Sequence, residues 1–241
     1  LRERGAVPLD AAEAKPADVV LDVYGLLHEP DQETALDARL ARTRPGGALV
    51  LQLHSLASVV ATGQFSELRH GHFAYWSLPA LEGALRGRGW GVHRARRYPY
   101  DGGTLAVVAT ADPDPDQQAT DLLRAELAAG VTDPATVRTL QRAADATGAA
   151  LRSWLEAERA AGRRVVGYGA AGRSVPLLCH AGIDATLLPV ILDAATTKHG
   201  RRLPGGDIAI VSPSTWEERG ADRVLLFVPD LLEEVRRAMP G

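Results

Sequence analysis

The stretch Arg164-Val-Val-Gly167-Tyr168-Gly169-Ala-Ala-Gly172-Arg-Ser174 limits the fold more than any other in this sequence. A short apolar run passes through G-x-G-x-x-G straight into a helical pattern. The next apolar run, Leu187 to Leu192, ends at Asp193, 21 residues after Gly172. That is the order of a parallel βαβ unit, which sits in an α/β domain. In a dinucleotide fold such glycines let the backbone approach a pyrophosphate at the helix N-terminus, and the acid binds a ribose hydroxyl. The same glycines also serve a tight turn that packs helix on strand without any ligand. Thr196-Thr-Lys198-His-Gly-Arg201-Arg202 follows; it suits phosphates through charge-assisted hydrogen bonds, or is a solvated basic loop. Gly167, Tyr168, Gly169, Ser174, Asp193, Lys198 and Arg201 are therefore the candidate substrate or nucleotide residues.

The first half alternates too. Asp18 to Tyr24 is a buried-type strand, and Glu33 to Thr43 has helical spacing at Ala35, Leu36, Leu40 and Ala41. Arg44-Pro-Gly-Gly47 stops that helix, Ala48 to Leu53 is a strand, and Leu78 to Arg86 is a helix ended by Gly87 and Gly89. Trp90 to Pro99 and Gly103 to Thr110 are strands joined at Tyr100-Asp-Gly-Gly103. This succession of strand, helix, strand, helix and antiparallel pair resembles the second half of a class I methyltransferase sheet. Ala111 to Gln118, with alternating proline and aspartate, reads as a linker. Asp133 and Pro134 start a long helix to about Ala161, with one apolar stripe through Val137, Leu140, Ala144, Leu151, Trp154 and Leu155. Ile208 to Val211 and Arg223 to Val228 are further strands, and Leu231 to Met239 closes the chain as a helix. The expected fold is α/β with two Rossmann-like domains: 1–112, then a linker and long helix over 113–162, then 163–241. Leu1 to Gly5 reads as the tail of a helix, so more chain is expected upstream.

Apolar residues are 46% and charged residues 24%, and 27 Lys plus Arg stand against 30 Asp plus Glu. No overall field favours nucleic acid or an anionic membrane. The one cysteine, Cys179, excludes an internal disulfide and a multi-thiolate zinc site within this sequence, and no metal is expected. No apolar run approaches the roughly 20 residues of a membrane span, and a cytoplasmic location is expected.

Arg69-His70-Gly71-His72-Phe73-Ala74-Tyr75-Trp76-Ser77 puts two imidazoles and a phenol beside large aromatic rings. On an extended segment His70 and His72 share a face. An imidazole, with an ordinary pKa of about 6.5, gives or takes a proton near neutral pH. A solvated His70 and a core of Phe73, Tyr75 and Trp76 satisfy the same residues.

Taken together, several motifs resemble the S-adenosylmethionine-dependent sugar C-methyltransferases of deoxysugar and antibiotic biosynthesis, which act on nucleotide-linked 4-keto sugars. They are Asp18 to Asp31 with His28, Pro45-Gly-Gly47, His70-x-His72 with its aromatic tail, Gly102-Gly103, Val166 to Ala170, and Asp193 through Lys198-x-Gly200-Arg201 to Pro204-Gly205. The family resemblance implies a zinc-binding N-terminal region, a methyltransferase domain and a Rossmann-like C-terminal domain. The match begins inside the methyltransferase domain, with the glycine loop for S-adenosylmethionine expected upstream of Leu1 or lost. It implies that His72 is the base that removes a proton next to the C4 ketone, with His28 and Tyr75 lining the site as donors to the ketone oxygen. Asp22, Tyr24 and Gly25 are the expected cofactor contacts. Three departures stand out: Gly71 where the family has glutamate, Asp101 where it has histidine, and Gln52-Leu53-His54 where it has Glu-x-Pro. Asp101 is expected to replace the lost acid, and His70 joins the candidate catalytic set. The alternatives are a non-catalytic nucleotide-sugar-binding homologue and a nicotinamide-dependent oxidoreductase using Gly167 to Gly172 and Asp193.

Overall fold

A computed structural model describes residues 15–99, 102–216 and 220–238. The elements run β1 (Ala17–Val23), α1 (Gln32–Ala41), β2 (Thr43–His54), α2 (Leu56–Thr62), α3 (Leu78–Arg86), β3 (Gly91–Tyr98), β4 (Thr104–Thr110) and α4 (Gln117–Ala128). They continue with α5 (Pro134–Val137), α6 (Thr139–Ala160), β5 (Val165–Tyr168), α7 (Ser174–His180), β6 (Val190–Leu192), β7 (Ala209–Val211), β8 (Arg223–Leu226) and α8 (Leu232–Ala238). The described chain divides into two compact units. One holds the residues up to Leu56 with His72–Pro99 and Gly103–Thr132; the other holds Ala57–Gly71, Gly102 and the residues from Asp133 on. The expected helix tail at Leu1 to Gly5 and the turn residues Tyr100 and Asp101 lie outside the described residues.

The first unit is a mixed sheet in the order β1-β2-β4-β3, with β1 parallel to β2 and the other pairs antiparallel. The expected succession of elements is thus present, with β4 inserted between β2 and β3. Leu49, Leu51 and Leu53 alternate along β2 and are fully buried, packing with Leu105 and Val107 of β4, Leu36 of α1, and Leu81 and Leu85 of α3. Each such leucine contributes about 2 kcal/mol by leaving water. Ser77 caps α3 by accepting a hydrogen bond from the Ala80 N–H.

Two local expectations change. Arg44-Pro-Gly-Gly47 lies within β2, where the register jumps from Ala17↔Thr43 to Val19↔Ala48. Pro45 has no N–H for the ladder and Gly46 has φ 73°, so the strand bulges there. The stretch expected as a linker ends in an anchor: the Asp116 carboxylate accepts from the Ala119 N–H at 2.7 Å and pairs with Arg96 at 2.6 Å. That pairing starts α4, which packs on β3.

The second unit is a parallel sheet in the order β7-β6-β5-β8, as the G-x-G-x-x-G stretch implies. Ile191, Val165, Phe227 and Leu178 of α7 lie in one core with Leu155 of α6. The single long helix expected from Asp133 is two helices broken at Arg138, and Trp154, expected in the apolar stripe, is exposed. Among the described residues no helix is long and apolar enough to cross a membrane.

Candidate active site

Because β1 and β2 are parallel, their carboxyl ends lie side by side, the position at which open α/β sheets bind ligands. Beyond β1 the chain turns through Tyr24, at φ 58°, into a short 3-10 turn, Leu26–His28. Leu26 and Leu27 are fully buried and pin this turn to the core, leaving His28 exposed at its end. β2 ends at His54, 1% exposed, directly opposite Thr104 of β4. The Tyr24 and Thr104 hydroxyls lie 2.6 Å apart.

The segment from His72 to Ser77 is laid across these ends by backbone bonds. The Phe73 N–H donates to the Leu27 carbonyl at 2.7 Å, and the Leu56 N–H donates to the Trp76 carbonyl at 3.0 Å. Trp76 Nε1 donates to Gln32 Oε1 at 3.1 Å, while Gln32 Nε2 donates back to the Leu26 and Glu29 carbonyls. Gln32, the first residue of α1, is thereby the junction between the 3-10 turn and the aromatic segment.

This arrangement gathers His72 with His28, His54 and Tyr75. The His72 ring centroid lies 4.9 Å from that of His28, edge to face, 5.2 Å from His54 and 5.7 Å from Tyr75. Tyr24 stacks on the other neighbour, its ring 4.9 Å from His54. Among the described residues no set of three His, Cys, Asp or Glu is arranged to hold a metal ion.

Of the expected catalytic residues, His72, His28 and Tyr75 come together. His70 does not share an extended face with His72: the two flank a turn in which Gly71 has φ 90°, so the alternation of a strand is lost. His70 is exposed. Asp101 lies outside the described residues. His54 was not among the candidates; its signal in the sequence is only a histidine ending a strand whose parallel neighbour ends in Tyr24.

The residues expected to hold S-adenosylmethionine each have partners within the protein. The Asp22 carboxylate is 8% exposed, accepts from the Leu26 N–H at 3.0 Å and pairs with Arg39 at 2.5 Å, so its oxygens serve the protein's own turn. A Cβ on Gly25 would sit 2.7 Å from Asp22 Oδ2, which explains the glycine without a ligand. Tyr24 is engaged with His54 and Thr104, as above.

In the second unit the expected substrate residues are mostly committed to packing. A Cβ on Gly167 would meet Ile191 and Phe227 at 2.9 Å, and Gly169, at φ 92°, would meet Val228 at 2.8 Å. Close packing of helix and strand thus accounts for both glycines. Tyr168 is buried among Val190, Leu192 and Val235, and burial pushes its phenol above the ordinary value. Ser174 is fully buried and donates to the Ala171 carbonyl at 2.7 Å. Asp193 accepts from the backbone N–H of Ala170 and of Ala195, each at 2.8 Å, and from Lys198 at 2.9 Å. Burial works against its charge, yet the Lys198 ammonium and these N–H groups hold its carboxyl below the usual range. It latches the glycine turn to the following loop. Arg201 is exposed at the surface of that loop.

A family model described as the C-methyltransferase C-terminal domain matches residues 99–240. The C-methyltransferase NovU of Streptomyces niveus is 27% identical over 221 residues, which cover 88% of this chain and 53% of that protein. The chain thus spans about half the length of the curated relative it matches.

Proposed function

We propose, from the premise that this chain belongs to the C-methyltransferase family, that its imidazole cluster removes a proton from the carbon beside a ketone, on the way to methylation of that carbon. The substrate class is a nucleotide-linked keto-deoxysugar. His72 is the base: it is half-buried, lies at the carboxyl ends of two parallel strands, and is ringed by His28, His54 and Tyr75. The C–H bond breaks, an N–H bond forms on His72, and the electron pair moves to the ketone oxygen as an enolate. His28 and Tyr75 are the donors proposed for that oxygen. S-adenosylmethionine is the methyl donor proposed for the family chemistry, held by groups other than Asp22 and Gly25. Arg201, a cation on an exposed loop, is proposed as a phosphate contact of the second unit taken by itself.

The observation that carries this reading is the contact of His72 with three proton-bearing rings. His72→Ala is expected to abolish methyl transfer, read by mass spectrometry of the sugar, while calorimetric binding of the nucleotide sugar survives. Full activity in His72→Ala would remove the base assignment.

The internal commitment of Asp22 and Gly25 favours a second reading, a homologue that binds the nucleotide sugar without methylating it. Titration with S-adenosylhomocysteine separates the two. Saturable micromolar binding supports the enzyme, and binding of the sugar alone supports the homologue.

A further inference from the structure

We infer that Glu126 is a positioning residue for the aromatic segment: from α4 its carboxyl holds the amide that ends that segment, and so sets where Tyr75 and His72 stand. The inference rests on His72 being the base of the proposed reaction.

The first turn of α3 shows why an acceptor is needed. A helix leaves its first backbone N–H groups without partners inside the helix. In α3, Ser77 Oγ takes the Ala80 N–H at 3.4 Å, the Ser77 carbonyl takes the Leu81 N–H at 3.0 Å, and Pro79 has no N–H to satisfy. The remaining donor of that turn is the Leu78 N–H, on a residue 1% exposed and out of reach of bulk water. Glu126 Oε2 accepts from it at 2.8 Å, across 48 residues of chain.

That bond, rather than a charge, is what Glu126 supplies. Its carboxyl is 1% exposed, Oε1 makes no hydrogen bond among the described residues, and Arg97 Nη1 comes only to 4.0 Å of it. Burial outweighs the Leu78 N–H and Arg97 and raises the carboxyl above its ordinary range. A carboxyl accepts from an N–H through its carbonyl oxygen when protonated as well as when charged, so burial does not oppose this role.

Leu78 continues directly from the segment. Phe73 is tied to the Leu27 carbonyl, and Trp76 is tied to Leu56 through its carbonyl and to Gln32 through its ring. Glu126 adds a tie at Leu78, and Tyr75 lies between these points with its ring 5.7 Å from that of His72. α4 is itself anchored on β3 by Asp116 and Arg96, so the tie fixes the segment to the sheet. Displacing reacting groups by about 1 Å costs rate on the order of 10²-fold.

The test follows deuterium uptake at the carbon beside the ketone of a nucleotide-linked 4-keto sugar in heavy water, as a rate per folded chain. The Trp76 indole N–H resonance is read alongside and does not depend on turnover. Glu126→Met keeps the volume and removes the acceptor. It is expected to lower the maximal rate at least about tenfold, to change the half-saturating sugar concentration less than about threefold, and to shift the Trp76 resonance. Glu126→Gln keeps an oxygen for the Leu78 N–H and is expected to stay within about threefold of the wild-type rate, with the resonance in place. Glu126→Asp keeps the acid and withdraws the acceptor by one methylene; it is expected to fall with Glu126→Met, and it carries the test if Glu126→Met does not fold. Glu82 is the control for a merely structural role: 7% exposed, it holds the Val92 N–H of β3 at 2.8 Å instead of the segment. Glu82→Met is expected to lose stability while keeping the rate per folded chain and the Trp76 resonance. A wild-type rate in Glu126→Met or Glu126→Asp overturns the inference. So does an impairment of Glu126→Gln or Glu82→Met as large as that of Glu126→Met. If the wild type shows no exchange while the resonance moves in Glu126→Met and Glu126→Asp alone, the base reading fails and the positioning of the segment stands.

Discussion

Asp22→Asn decides between a ligand contact and an internal strut, because it removes the charge and keeps an oxygen for the Leu26 N–H. Asp22 and Arg39 are 8% and 16% exposed, with Nε and Oδ2 at 2.5 Å. Removing one member of so buried a pair costs about 3–5 kcal/mol, since the other charge is left uncompensated. Glu29 lies 3.4 Å from Arg39 and keeps part of that compensation, but it is 46% exposed and therefore well screened. The loss expected for Asp22→Asn is thus at the low end, about 3 kcal/mol. Asp22→Ala also strips the acceptor from a buried N–H and should lose about 1–3 kcal/mol more. The assay is urea unfolding followed by tryptophan fluorescence in variants that keep only Trp76 and Trp90, both in the first unit. Asp22→Leu combined with Arg39→Met should recover most of the loss, because no buried charge remains unpaired. An Asp22→Asn chain of unchanged stability that binds S-adenosylhomocysteine more weakly would return Asp22 to the cofactor.

Glu126 is 1% exposed and accepts from the Leu78 N–H at 2.8 Å, with burial raising its carboxyl above the ordinary range. A raised acid lends its stability below the unfolded value and loses it as pH climbs through the folded one. Glu126→Gln should therefore unfold at higher denaturant than wild type at pH 7 and show a flatter stability profile from mildly acid to neutral pH. Asp116 behaves oppositely: Arg96, and then the Ala119 N–H, pull its carboxyl down to about 2. Its contribution is present above about pH 4 and fades as pH falls towards 2, a step that Asp116→Asn should erase from acid unfolding curves.

The regular elements were legible because their signals are local. The apolar run Ala48 to Leu53 and the glycine turn after Val166 each fix an element within a few residues. α4 was hidden because its start depends on Asp116 meeting Arg96, 20 residues earlier and on another strand. The role of Asp22 was hidden for the same reason, since Arg39 is 17 residues away and reaches it only once α1 packs on β2. The glycines at Gly167 and Gly169 were correctly placed at a strand-to-helix turn. Their cause lies in Ile191, Phe227 and Val228, which the motif itself does not contain. At the site, His28, His72 and Tyr75 were found through residue type and resemblance. His54 escaped because only the parallel pairing of β1 with β2 shows that its strand end adjoins theirs.

Deuterium exchange tests the removal of a proton from carbon by His72 without a methyl donor. The wild-type chain, incubated in heavy water with a nucleotide-linked 4-keto sugar, should place deuterium on the carbon beside the ketone, and His72→Ala should not exceed the uncatalysed rate. Exchange that is absent from the wild type, or that persists undiminished in His72→Ala, would rule out His72 as the base.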